Sequence, residues 1–322
     1  MDLLSLTYFQ ELAKDLNMTR TAGRLYISQQ TLSSRIIRME EELGTPLFYR
    51  KPVFSLTPAG EQVLAFASRT TGQYANLQDC LRELSRGERG VLRFGASTLR
   101  MDTCIGPVLK DFSSRYPKVE LRLTDSISDR LEPMVLAGEL DLAIVSSDRV
   151  DPELIAVPLM TDDIYLCVTD ELLRRHYGEE AEALKRDAWE RGAYVGAFAE
   201  LPFCMFTSRL GGLIRACFAE EHVSPRVYIE STYTHVAAEL CFRGLAAGFC
   251  TAVVLNDRRD AIPDGLNIIP LMCGGEKRSL SLSLIRHKHR YQTAYARCFS
   301  GLVQSFFAGI ENTPVARLAG AG

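Results

Sequence analysis

Residues 18–43 constrain this chain more than any other stretch of it. They read as two short helices joined by a tight turn. Ser28 stands where an N-cap belongs, because its hydroxyl can accept an orphan amide of a first helical turn. After it, Leu32, Ile36, Met39 and Leu43 recur at 4-3-4 spacing and draw one apolar stripe down one helix face. At about 100° per residue the opposite face carries Gln30, Ser33, Ser34, Ile37 and Arg38. Gly44 then falls where a left-handed residue ends a helix. Thr19 is placed to cap the shorter helix, whose inner face is Ala22 and Leu25. From Met18 to Arg38 there are four arginines and no Asp or Glu. A longer helix with an outer face of amides, hydroxyls and arginines, preceded by a short helix and a turn, describes a helix-turn-helix that enters a DNA major groove. An ordinary helical hairpin with a solvated polar face fits the same residues.

The flanking sequence separates the two. Before the turn stand Leu6-Thr7-Tyr8-Phe9, Thr19-Arg20-Thr21-Ala22 and Leu25-Tyr26-Ile27-Ser28-Gln29. After it come Glu41-Glu42-Leu43-Gly44, Leu47-Phe48-Tyr49-Arg50 and Leu56-Thr57-Pro58-Ala59-Gly60. In these motifs, their order and their spacing, residues 1–60 resemble the N-terminal domain of LysR-type transcriptional regulators nearly end to end. The resemblance implies a winged helix-turn-helix over 1–58, with double-stranded DNA and RNA polymerase as partners. Carried onto this sequence, the DNA-contacting set is Thr19, Arg20, Ser28, Gln29, Gln30, Thr31, Ser33, Ser34, Arg35, Arg38, Arg50 and Lys51. The wing, residues 50–57, is basic only at Arg50 and Lys51, fewer cations than the family commonly places there.

Composition fits a local rather than a global DNA contact. The chain of 322 residues has a net charge of −3, so a basic surface must be confined to a patch, and residues 18–38 are that patch. At 47% hydrophobic and 24% charged it reads as an ordinary globular protein with room for two or three cores. Nine scattered cysteines, odd in number and never spaced Cys-x-x-Cys, point to free thiols in a reducing cytoplasm rather than to disulfides or zinc. Asp2, Gln10 and Glu11 interrupt the apolar core a secretory leader needs. The longest apolar run, around 245–255, is too short to span a bilayer.

Residues 3–16 read as a first helix, with Leu6, Phe9, Leu12, Ala13 and Leu16 inward and Asn17 as its left-handed stop. Pro58 suits the first turn of a long helix. Val63, Ala67, Thr70, Tyr74, Leu77, Leu81 and Leu84 then follow at strict 4-3-4-3-4-3 spacing, an a/d seam that predicts either a pairing helix between two copies or a helix packed on its own domain. The resemblance favours pairing, as a homodimer or a tetramer. We place this dimerisation helix and its Gly-punctuated hinge at 59–89.

From Val91 strands and helices alternate, predicting a parallel, doubly wound sheet. Strands are expected at 91–96, 119–124, 140–145, 164–168, 203–206, 227–230, 248–254 and 279–285, and a closing helix over 292–307. The resemblance implies the family's two-lobed, periplasmic-binding-protein-like effector domain over 90–310, with lobe I at 90–161 plus 268–310 and lobe II at 162–267. The expected fold class is therefore α/β with an N-terminal all-α winged helix-turn-helix. Strand ends run into hydroxyls at Ser97, Thr98, Thr124, Ser146, Ser147, Thr207 and Ser231, and in open α/β sheets ligands sit outside such ends. Helix N-terminal amides there suit an anion, and each hydroxyl is equally suited to be a simple cap. Arg100 and Arg209 are candidates to pair an anionic effector, or surface residues. No catalytic set, phosphate loop or metal spacing occurs among the five histidines, so no enzyme activity, metal or cofactor is expected. An α/β solute-binding protein or enzyme with an incidental helical arm is the rival reading.

Overall fold

The computed structural model describes residues 1–86, 89–146, 150–232, 234–313 and 315, with the side chains of 79, 82–86, 234 and 235 outside that description. Helix α1, Leu3–Asp15, is capped by Asp2, whose carboxylate accepts the Ser5 amide at 2.7 Å. It ends at Leu16 in the left-handed region (φ 46°), one residue before the expected Asn17. Asn17 is needed elsewhere: its side chain accepts the Arg20 amide at 3.0 Å and caps α2, Met18–Arg24, the role expected of Thr19. Helix α3, Gln29–Leu43, has the expected ends, since Ser28 Oγ accepts the Thr31 amide at 3.0 Å and Gly44 is left-handed (φ 67°). Leu32, Ile36 and Met39 are buried, while Leu43, at the helix end where the chain turns away, is 40% exposed.

These residues share a core with Phe9, Leu12, Ala22, Leu47 and Phe48. Phe48 lies between Phe9 and Phe54, with ring centroids at 5.2 and 4.9 Å. The wing opens at this buried ring rather than at residue 50: β1, Phe48–Tyr49, pairs antiparallel with β2, Ser55–Leu56.

Helix α4, Pro58–Arg86, divides the expected seam. Ala67 is wholly buried in the first domain's core, and Val63 packs on that core. Gln10 ties the same stretch to α1, donating to Ser68 at 3.1 Å and accepting from Thr71 at 3.0 Å. Farther along, Tyr74, Leu77 and Leu81 are 47, 52 and 55% exposed. Heptad spacing marks a stripe and not its partner, so the first part of the stripe serves the protein's own core. The Leu84 side chain is outside the described residues.

The larger part is mixed rather than purely parallel. In lobe I, β3 (Gly90–Ala96) lies between β4 (Val119–Asp125) and β5 (Leu142–Ser146), parallel to both. Helices α5 (Thr98–Arg115) and α6 (Ser128–Ala137) connect them. Strand β13, Ser279–His287, joins β5 antiparallel and also pairs with β6, Leu154–Thr169. Only 164–168 of β6 reads as a strand in the sequence, because Pro158 interrupts the pattern upstream. The whole segment is one crossing strand, whose end pairs antiparallel with β9 (Gly248–Thr251) and β10 (Leu266–Pro270). Residues 268–270 therefore belong with lobe II, and the chain returns through β13 rather than at 268.

Lobe II adds β7 (Pro202–Phe206) parallel to β8 (Arg226–Ser231), with Phe203 bridging to Ala247 beside β9. Around these lie α7 (Asp170–Tyr177), α8 (Ala181–Arg191), α9 (Arg209–Glu220) and α10 (Thr234–Phe242). The strand expected over 248–254 stops at Thr251 and becomes α11, Ala252–Asp257. A small hairpin of β11 (Met272–Cys273) and β12 (Glu276–Lys277) precedes β13. Helix α12, Ala294–Glu311, returns to lobe I, where Phe299 meets Phe94 and Phe112 at 5.0 and 5.2 Å. Phe299 is fully buried, so Phe299→Ala should cost about 3–5 kcal/mol of lobe I stability, read as a lower urea midpoint at unchanged slope.

Candidate DNA-binding surface and effector cleft

The burial of Leu32, Ile36 and Met39 leaves the other face of α3 free to solvent. Ser28, Gln29, Gln30, Thr31, Ser34, Ile37 and Arg38 are exposed there, and Ser33 is half-buried. An open concavity is walled in part by Ser28, Gln30, Thr31, Ser34, Arg35 and Arg38. Thr19 Oγ1 donates to Gln29 Oε1 at 3.2 Å, so α2 steadies the first residue of the exposed face.

The cations divide into two kinds. Arg38 is 81% exposed and, among the described residues, meets only the loose i,i+4 partner Glu42, at 3.6 Å; Lys51 is also exposed. Arg35, expected as a DNA contact, reaches Asp2 at 3.3 Å and Ser5 Oγ at 3.1 Å, and lies over the Tyr8 ring at 5.5 Å. The Ser5 amide, its hydroxyl and Arg35 together hold the Asp2 carboxyl down to about 2. Arg50 is likewise engaged: it donates to Glu40 Oε2 at 2.9 Å, while Oε1 accepts the Leu47 amide at 2.8 Å. Arg20 donates to Asp15 O at 2.8 Å. Residue type alone could not separate these roles, because Asp2 and Glu40 are distant in sequence from the arginines they hold.

The strand ends that carry the candidate effector hydroxyls are tied to neighbouring strand and helix ends within each lobe. Thr98 Oγ1 donates to Asp125 Oδ2 at 2.8 Å, joining the ends of β3 and β4. Ser128 Oγ accepts the Ser146 amide at 2.9 Å, joining β5 to the start of α6. The Thr207 amide donates to Ser231 O at 3.3 Å, joining β7 and β8. Ser97 and Ser208 occupy the cap positions of α5 and α9 but make no side-chain cap bond, and Ser208 Oγ is buried without a hydrogen-bond partner. Thr124 is half-buried on β4, and Ser147 is outside the described residues.

Sequence reasoning singled out Arg100 but missed Asp162, its partner where the lobes meet. Arg100, on the first turn of α5, is 4% exposed rather than at the surface, and its guanidinium lies 2.7 Å from Asp162 Oδ2 on the crossing strand. Asp162 Oδ1 accepts the Val253 amide of α11 at 3.0 Å. Arg100 Nη2 is thus matched by a carboxylate, while its Nη1 is buried with no hydrogen-bond partner among the described residues. No local pattern announces it, since Asp162 lies inside a run that reads as a loop. Removing one partner of a buried pair leaves a bare buried charge.

A winged helix-turn-helix with an exposed polar face, joined by a long helix to two α/β lobes bridged by crossing strands, is the architecture of a two-part regulator. Residues 3–61 match the family described as "Bacterial regulatory helix-turn-helix protein, lysR family", and residues 85–308 match the LysR substrate binding domain. The chain belongs to the LysR family and is a LysR-type DNA-binding transcriptional regulator. It is 28% identical over 315 residues to the uncharacterized HTH-type transcriptional regulator YcgK of Bacillus subtilis, covering 94% of each chain. The transcriptional activator IlvY of Salmonella typhimurium is 34% identical over 161 residues, 50% of this chain and 55% of that one. The fold matches full-length CbnR complexed with its target DNA at a TM-score of 0.59 and 21% identity, covering 95% of this chain and 100% of that one. The relatives are regulators, and the rival enzyme reading finds no support among them. No described helix is long and apolar enough to cross a membrane.

Asp162→Ala should lower regulatory-domain stability by about 3–5 kcal/mol, whereas replacing both partners with apolar residues of similar size should cost much less. Urea unfolding of the two variants side by side checks this.

Proposed function

We propose that the exposed face of α3 reads base edges, with Gln29, Gln30 and Ser34 as the readers and Arg38 and Lys51 as phosphate contacts. The observation that carries this is the clean division of α3 into a buried apolar stripe and an exposed polar face at its N-terminal end. That end of a recognition helix points into the groove. Gln can bond adenine N6 and N7 together, worth about 1–3 kcal/mol of discrimination. Arg35 and Arg50 act inside the domain and hold its shape.

The exposed part of α4, at Tyr74, Leu77 and Leu81, is the surface that pairs two copies. A second self-association surface is supported by the edge strands: Leu123 on β4 is 47% exposed, and Val227 and Tyr228 on β8 are 49 and 59% exposed. A two-fold axis that lays β4 of one copy on β8 of another covers both edges at once and pairs dimers into a tetramer. Between the lobes, hydroxyls at Ser97 and Thr207 and the amides of the α5 and α9 N-termini suit a small anion. A cytoplasmic setting fits the nine free thiols.

DNA selected from genomic fragments tests the first assignment. Arg38→Ala should weaken binding to all sequences alike and flatten the salt slope by about one unit. Arg35→Ala should leave the slope unchanged and lower the first domain's melting temperature. Equal slopes in the wild type and Arg38→Ala would refute the assignment. For the pairing helix, Leu77→Asp places an unpaired charge in the seam and should give monomers, or dimers in place of tetramers, by sedimentation. An unchanged assembly would assign pairing to the lobes alone.

A further inference from the structure

Helix α4 carries a third face, used neither by its own domain's core nor by the pairing stripe. Gly72 and Asn76 lie four residues apart on that face, and Tyr74, Leu77 and Leu81 are turned from it by about 100° or more. Asn76 makes a reciprocal pair with the loop before α12: its Nδ2 donates to Tyr291 O at 3.1 Å, and the Tyr291 amide donates to its Oδ1 at 3.2 Å. One turn earlier the backbone of α4 meets the end of α6. A Cβ at Gly72 would stand 2.4 Å from Ala137 O and 3.0 Å from Gly138 Cα.

Arg290 closes the joint. It donates to Leu136 O at 3.2 Å, and its guanidinium covers Gly138 so closely that a Cβ there would fall 1.8 Å from Nη1. Gly138 is also left-handed, at φ 81°. Three backbones and one guanidinium therefore interlock where no side chain beyond hydrogen fits.

The other end of α6 lies at the C-terminal end of β5, beside the strand ends read above as the effector site, where Ser128 Oγ accepts the Ser146 amide. Along its length Leu131 and Val135 are fully buried in a cluster with Leu140, Ala143 and Val145. A helix fixed on both sides by packing moves as a unit, because packed interfaces shift rather than stretch. We infer that Gly72 and Asn76 are positioning residues that dock the linker helix on lobe I, making α6 the strut through which the cleft and the DNA-binding end sense each other. The coupling half of this inference rests on the DNA-binding and cleft readings above; the docking half does not. Coupling is reciprocal, so bound DNA must alter α6 even when no effector is known.

Hydrogen exchange on the full-length protein tests both halves, with DNA selected from genomic fragments as the probe. In the DNA-free protein, Asn76→Ala should speed exchange of the Tyr291 amide by about tenfold or more. In the wild type, the selected DNA should change exchange of residues 128–138 by about threefold or more. That change should vanish in the Gly72→Ala/Asn76→Ala double variant. Alanine raises helix propensity at 72, so α4 survives in the double variant while the joint opens. A Tyr291 amide that exchanges no faster in Asn76→Ala overturns the docking. A DNA effect at 128–138 that is absent in the wild type, or that survives in the double variant, overturns the coupling. Failure of the wild type to select any DNA refutes the helix-turn-helix reading, and the Tyr291 amide still decides the docking.

Discussion

Strands β6 and β13 run side by side through the junction of the two lobes, and the regulatory domain depends on the polar group set into that pair. Asp162 sits opposite Leu280 in the ladder with no exposed surface. An ionised carboxylate in such a place must be matched, and its partners fix the parts around it. Arg100 brings the start of α5 from lobe I, and the Val253 amide brings the start of α11. The N-terminus of α5 is thereby anchored to the crossing strand.

The DNA-facing surface is governed by the opposite economy. With a net charge of −3 the protein has no general attraction for a polyanion. Its acidic residues also occupy cations inside the first domain: Asp2 holds Arg35, and Glu40 holds Arg50 while accepting the Leu47 amide. Arg38 is the most exposed of these arginines, 81% against 66% for Arg20 and 56% for Arg50.

Helix α4 reconciles these parts because a helix has room for several faces. Ala67 and Val63 complete the first core, Tyr74 and Leu77 remain outward, and Gly72 with Asn76 meets lobe I. A β-strand, with only two sides, could not serve three neighbours in this way.

Periodicity and end signals in the sequence settled the first domain: the Leu32–Ile36–Met39 stripe, the Ser28 cap and the Gly44 stop are local, and each is visible within a turn or two of chain. The same holds for the hydroxyls at strand ends, because strand, turn and helix follow one another directly. Nonlocal matters were decided only by the tertiary structure. Heptad spacing could not say that Ala67 faces its own domain, since burial looks alike whichever chain supplies the cover. Pro158 hid the upstream half of β6, which holds its place through pairing with β13. Arginines 35, 50 and 100 differ in role only through carboxylates brought to them by folding. A residue's type and its local pattern give the forces it can exert, and the fold alone determines what stands close enough to receive them.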